Sequence, residues 1–305
     1  MKKVIIIGAN GFVGNYLADE FASNGYQVVA CDLSISKQEK KNIKYELLDI
    51  LEKDNVFNII KKYNPNYLIN LAAISSVGAS WNIPQKTIEI NVCGTINILE
   101  AVKENCPKCK VLLIGSSEEY AISNKPINEK YKLDASNPYG VSKMAQEKFA
   151  SIYRNNFGMN IVCTRSFNHT GVGQNDNFVI PSFCKQVADI DNGKSEPKIY
   201  VGNLGVYRDI SDVRDVVKVY RMIIESENND FVYNVGSGVS HKLEDLLKYI
   251  ISLSSKKIEI CVDKNKFRPS DNEYICCDNK KIKKWFNNTD IKETIKEMFE
   301  YYKNR

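Results

Sequence analysis

The stretch KVIIIGANGFVG, residues 3–14, decides the fold. A β-branched apolar run ends at Gly8, and from about residue 12 the pattern takes on the period of a helix. Gly8, Gly11 and Gly14 therefore stand where a first strand hands over to a first helix. Glycine there permits a tight turn and lets the main chain approach a pyrophosphate, while the amides of the helix N-terminus face the anion. Glycines at this spacing also arise by chance, but directly after a strand they point to dinucleotide binding, with Asn10, Phe12 and Val13 on the same turn.

Outward from this junction, strand-like and helical stretches alternate. A helix over about 12–24 is followed by QVVACD, KYELLDI, a helix over 52–63, YLINLAA, a helix over 85–104, KVLLIGSS, a helix over 138–157, and NIVCTRS. The strands are continuously apolar, as strands buried on both faces are. The pattern predicts an α/β, Rossmann-type doubly wound parallel sheet. From about residue 166 the rhythm changes to a Gly- and Asn-rich loop, FNHTGVGQNDN, then shorter elements without a low-complexity linker. The expected organisation is a nucleotide-binding domain over 1–165, with returning segments near 205–235, and a smaller interleaved lobe over 166–305.

Composition narrows the functional classes. The 42 Lys and Arg against 37 Asp and Glu leave a net charge of only +5 over 305 residues, and the basic residues are scattered, so no nucleic-acid surface is expected. The apolar run before Gly8 is too short for a signal peptide or a membrane span, which leads to the expectation of a soluble, cytoplasmic protein. The nine cysteines fit a reducing compartment. Cys31, Cys93, Cys163, Cys184 and Cys261 read as small buried hydrophobes. The pair Cys106 and Cys109 has half-site spacing, yet no second CxxC or nearby histidine completes four ligands, and adjacent Cys276 and Cys277 suit a tetrahedral site poorly. No metal is expected.

Asp32 closes the second strand, 18 residues beyond Gly14 and next to Leu33. A carboxylate there accepts both ribose hydroxyls and repels a 2′-phosphate, so NAD(H) is favoured, with NADP(H) left open. A turn-capping aspartate is the plainer alternative. Asp49 and Ile50 are expected to end the third strand beside the adenine. Leu71, Ala72 and Ala73 end the fourth with small side chains that admit ribose and pyrophosphate.

Chemistry concentrates in IGSSEEYA and NPYGVSK. Tyr139 and Lys143 lie four apart on one helix face. A free phenol, with a pKa of about 10, is a poor base at neutral pH, and an ammonium beside it, together with the positive charge of an oxidised nicotinamide, is expected to lower that value. Ser116, Ser117 and Glu118 arrive at the carboxyl edge of the sheet, where α/β folds hold ligands. A hydroxyl there binds the same substrate oxygen as the phenol.

With these motifs and NLAA, NVCGT, RSFNHTGVGQ, RDISDVRD and RPSD, the chain resembles the extended short-chain dehydrogenase/reductase family of nucleotide-sugar enzymes nearly end to end. The resemblance implies that Ser116, Tyr139 and Lys143 form the catalytic triad, with Glu118 as a further active-site carboxylate. It implies cofactor contacts at Ser75, Asn91, Phe167, Asn168 and His169, and makes residues 166–305 mainly a nucleotide-sugar-binding lobe. Ser75, Ser117, Glu118, Asn168, Val179, Arg208, Arg268 and Asp271 would meet the nucleotide-diphosphate sugar. Two arginines on separate loops suit a diphosphate, although each alone reads equally as a surface ion pair. A homodimer packed through helices at about 91–104 and 138–157 is also implied. Within the family the second half is most similar to GDP-4-keto-6-deoxy-mannose reductases, which yield GDP-rhamnose. The 4,6-dehydratases and 4-epimerases of the same fold are the alternative.

Overall fold

The computed structural model describes residues 1–35, 40–227, 230–267 and 272–305. The apolar runs form parallel strands β1 (Lys3–Ile7), β2 (Gln27–Asp32), β3 (Ile43–Leu47), β4 (Tyr67–Asn70), β5 (Lys110–Ser116) and β6 (Ile161–Ser166). With the strand Val232–Val235 at one edge, the sheet order is Val232–Val235, β6, β5, β4, β1, β2, β3. Every pairing in it is parallel. The order reverses at β1, which opens a crevice at the carboxyl ends of the strands.

The helices that cover the sheet include α1 (Phe12–Ser23) and α2 (Lys53–Tyr63). The helix Pro138–Phe157 starts and stops where the sequence predicts. Asn137 caps it by accepting the Gly140 N–H at 2.9 Å, Pro138 fills its first position, and Gly158 ends it in the left-handed region. Ile5, Ile7, Leu68, Leu99, Val102, Leu113 and Ile161 belong to the wholly buried core.

Two expectations are corrected here. The helix over 85–104 is interrupted: Pro84–Ile88 leads into a π turn, Glu89–Gly94, before Thr95–Asn105. The widened turn changes which residues face the core, so Cys93 is exposed rather than buried. Cys261, on the short strand Glu259–Val262, is only partly buried. The third strand ends at Leu47, short of Asp49 and Ile50. Asp49 instead forms a turn, its Oδ1 accepting the Leu51 N–H at 2.9 Å.

The chain divides into two compact units, residues 1–121, 129–166 and 217–235 in the first, and 122–128, 167–216 and 236–305 in the second. In the second, the strand Tyr207–Asp212 is the hub of a small sheet, pairing with Asn168–Thr170, Ser240–Lys242 and Tyr274–Ile275. Among the described residues no helix is long and apolar enough to cross a membrane.

Candidate active site

The first loop is built around two glycines. Gly8 has φ +83°, and a Cβ on it would stand 2.8 Å from the Ala72 nitrogen. A Cβ on Gly14 would stand 2.2 Å from the Gly8 oxygen, so α1 starts directly against the loop. The Gly8 and Ala9 N–H groups both donate to the Cys31 oxygen, at 2.9 and 3.1 Å, which ties the loop to β2. No side chain caps the start of α1. These features fit a dinucleotide pyrophosphate, whose oxygens need close main chain and helix-terminal amides.

Asp32 is fixed next to this loop. Its Oδ2 accepts the Asn10 N–H at 2.8 Å and its Oδ1 the Leu33 N–H at 2.7 Å. The Asn10 side chain donates to the Ser34 oxygen at 2.5 Å, latching the loop to the chain just beyond β2. A carboxylate has about four acceptor positions, so Asp32 keeps capacity for ribose hydroxyls. Leu33 and Ser75 are exposed, and Ile50 is buried. The Leu71 N–H donates to the Ile7 oxygen at 2.9 Å and the Ala72 N–H to Asn70 Oδ1 at 3.1 Å, which seats Leu71–Ala73 beside β1.

Asn91 and Phe167, expected at the cofactor, are both buried. Asn91 is wholly buried: its Oδ1 accepts the Ile74 N–H at 2.8 Å and its Nδ2 donates to the Ile74 oxygen and Ser142 Oγ. It braces the loop that carries Ser75. The Phe167 side chain is 2% exposed and serves the core.

The groups expected to be catalytic lie on β5, the short turn Ser117–Glu119 and the helix Pro138–Phe157. Ser116 Oγ accepts the Glu118 N–H at 3.2 Å. Glu118 Oε2 accepts from Asn137 Nδ2 at 2.8 Å, so the same asparagine that starts the helix also holds the carboxylate. The Tyr139 N–H donates to Ser80 Oγ at 3.2 Å. Lys143 is buried, donates to the Ile114 oxygen at 2.8 Å and to Gln146 Oε1 at 3.2 Å, and lies 6.0 Å from the centre of the Tyr139 ring.

The electrostatics differ from the expectation. Burial holds the Tyr139 phenol well above its usual range; the Ser116 hydroxyl hydrogen bond pulls it down, while Glu119 and Glu118 push it up. Burial brings the Lys143 ammonium down to about 8, against the pull of Glu119. Burial thus sets the direction for both groups, raising the phenol and lowering the ammonium. The phenol stays protonated through the neutral range, the form needed to give a proton.

In the second unit Asn168 is exposed, and His169 Nδ1 lies 3.1 Å from the Phe167 oxygen. Burial lowers the His169 pKa, favouring its neutral form. Val179 opens the helix Val179–Asp191. Arg208 is buried and donates to the Tyr207 and Asn272 oxygens at 2.9 and 2.6 Å. Arg268 and Asp271 lie outside the described residues.

Ser80 and Glu119 are absent from the sequence reading. Ser80 sits on the short helix Val77–Asn82, which no motif marks. Glu119 carried a signal: Ser116 and Glu119 have the spacing of a capping box, and they form one.

A glycine-turned strand-to-helix junction, an acidic end to β2 and a Ser, Tyr and Lys set at the carboxyl edge of a parallel sheet define an extended short-chain dehydrogenase/reductase. A family model described as GDP-mannose 4,6 dehydratase matches residues 5–298, and the chain belongs to that family. It is 29% identical to GDP-6-deoxy-D-mannose reductase of Pseudomonas aeruginosa, over 88% of this chain and 86% of that protein. It is 27% identical to CDP-paratose 2-epimerase of Salmonella typhi, over 98% of each. A solved structure of RMD from Pseudomonas aeruginosa complexed with NADPH superposes with a TM-score of 0.86 and 27% identity, covering 100% of both chains.

Proposed function

We propose that this protein reduces the C4 ketone of a nucleotide-linked 4-keto-6-deoxyhexose, GDP-4-keto-6-deoxy-D-mannose in the reading we favour, to give GDP-D-rhamnose. The observation that carries it is Tyr139 and the buried Lys143 on one face of the helix Pro138–Phe157, beside Ser116 at the end of β5. The glycine loop after β1 and Asp32 would hold a nicotinamide cofactor, which would supply a hydride for C4. Ser116 hydrogen-bonds the carbonyl oxygen and orients it against Tyr139. The phenol gives its proton to O4 as that oxygen gains charge, and the Lys143 ammonium steadies the phenolate left behind. Glu118, anchored by Asn137, and Ser117 border the sugar. Asn168, Val179, Arg208, Arg268 and Asp271 are assigned to the nucleotide-sugar in the second unit, the arginines to its diphosphate.

Asp32 favours NADH, because a 2′-phosphate would meet its charge. NADPH, which the Pseudomonas aeruginosa structure carries, is the competing cofactor. We infer a cytoplasmic homodimer packed through the helices at about 91–104 and 138–157; exposed Val141, Ile152 and Phe157 on the second helix support it. The test is incubation with GDP- and dTDP-linked 4-keto-6-deoxy sugars plus either cofactor. NADH consumed in proportion to sugar reduced supports the assignment.

A second reading, a sugar-nucleotide 4,6-dehydratase or 4-epimerase, is favoured by one feature. Glu118 is held by Asn137 next to Ser116, where a carboxylate can move a proton on the sugar. Such an enzyme regenerates its cofactor in each cycle. Sugar conversion with no net change in nicotinamide absorbance would select it.

A further inference from the structure

We propose that Glu119 is a positioning residue of this site, holding the Ser116 main chain and placing a buried carboxyl against the helix that carries Tyr139 and Lys143; the inference rests on the reductase reading above. Glu119 has no exposed surface. Its Oε1 accepts the Ser116 N–H at 2.7 Å, while its Oε2 makes no hydrogen bond. The carboxyl is pinned against β5 and β6: a Cβ on Gly115 would stand 2.5 Å from Glu119 Oε1 and 2.3 Å from the Thr164 oxygen.

Arg165, from β6, compensates it only in part. The Nε and Nη2 of that guanidinium go to Glu147 at 2.8 and 2.5 Å, leaving Arg165 Nε 3.9 Å from Glu119 Oε2. A second carboxylate shares this buried space with one arginine, and one of its oxygens lacks a donor. Burial and Glu147 raise the Glu119 pKa to about 8, against the Ser116 N–H, Arg165 and Lys143. The charged and titratable groups around it are thus Glu147, Lys143 and Tyr139 from the helix Pro138–Phe157, Arg165 and the buried Cys163 thiol from β6, and Glu118 from its own turn. When Glu119 ionises, both Tyr139 and Lys143 hold their protons more tightly.

Two substitutions separate the two roles. Glu119→Gln keeps an oxygen for the Ser116 N–H and removes the charge, whereas Glu119→Ala removes both. Steady-state kinetics with keto-sugar and NADH across pH should show Glu119→Ala losing kcat by on the order of 10²-fold, with KM for NADH little changed, as Ser116 loses its support. Glu119→Gln should recover most of that loss below neutral pH. On the alkaline side its activity should fall off at lower pH than that of the unsubstituted enzyme, because the phenol and the ammonium then lose their protons more readily. A Glu119→Gln profile superimposable on the unsubstituted one, or a Glu119→Ala variant with unchanged kcat, overturns the proposal.

A substrate-free readout separates this from failure of the reductase reading. Carbon-13 NMR of the unsubstituted protein, labelled at glutamate carboxyls, should show one carboxyl titrating well above the ordinary range of about 4.3. If no glutamate does so, the inference fails whatever the enzyme reduces. If one does and no keto-sugar is turned over, the reductase reading fails instead.

Discussion

Replacing Tyr139 by Phe removes one hydroxyl and leaves the ring packing in place, so its effect isolates proton donation. The expected loss in kcat is ~10²–10⁴-fold with sugar affinity retained, measured by initial rates of NADH oxidation. Glu119 adds a pH dependence to stability. The folded state holds its proton up to about 8, whereas an unfolded glutamate releases it in the ordinary carboxylate range. Stability from this group is full at acidic pH and is lost as pH rises through that window. Urea unfolding at mildly acid and mildly alkaline pH should therefore show a larger loss across the window for the unsubstituted protein than for Glu119→Gln. At this scale the sequence was legible where spacing carried the chemistry, as with Tyr139 and Lys143. It was not legible where burial dominates: spacing presents Lys143 as an ordinary ammonium, whereas its burial brings the group down to about 8.

At the scale of elements, the helix Pro138–Phe157 was readable because Asn137, Pro138 and Gly158 mark its ends. Asn137 does more than cap, since its amide also holds Glu118. Asn137→Ala should cost about 1 kcal/mol of stability, as cap removal does, together with a reduced kcat as Glu118 loses its anchor; thermal unfolding and rate measurements check both. Serine at this position retains a cap oxygen but cannot donate two amide hydrogens, so it should recover stability more than rate. The π turn Glu89–Gly94 had no such marker. Its sequence, EINVCG, continues a helical pattern, and the extra residue is recorded only in the packing of Asn91 against Ile74 and Ser142. Exposed Cys93 follows from the same insertion.

For the molecule as a whole, the parallel sheet and its crevice at β1 follow from alternating apolar runs and the glycine junction, and both were legible. The sugar-binding residues were less so, because loops such as FNHTGVGQNDN carry no periodicity and their assignments came from resemblance. Arg208 illustrates the difference: its guanidinium donates to the Tyr207 and Asn272 oxygens, a main-chain role the motif does not announce. On the proposed role of Asp32, Asp32→Ala should relax a preference for NADH over NADPH, read as the ratio of kcat/KM values. The most direct measurement of the proposed activity is product analysis by NMR after incubation with GDP-4-keto-6-deoxy-D-mannose and NADH. The predicted result is a new C4 carbinol, one NADH oxidised for each sugar reduced. Conversion of the sugar with no net NADH oxidation, or no conversion of any keto-sugar with either cofactor, would contradict it.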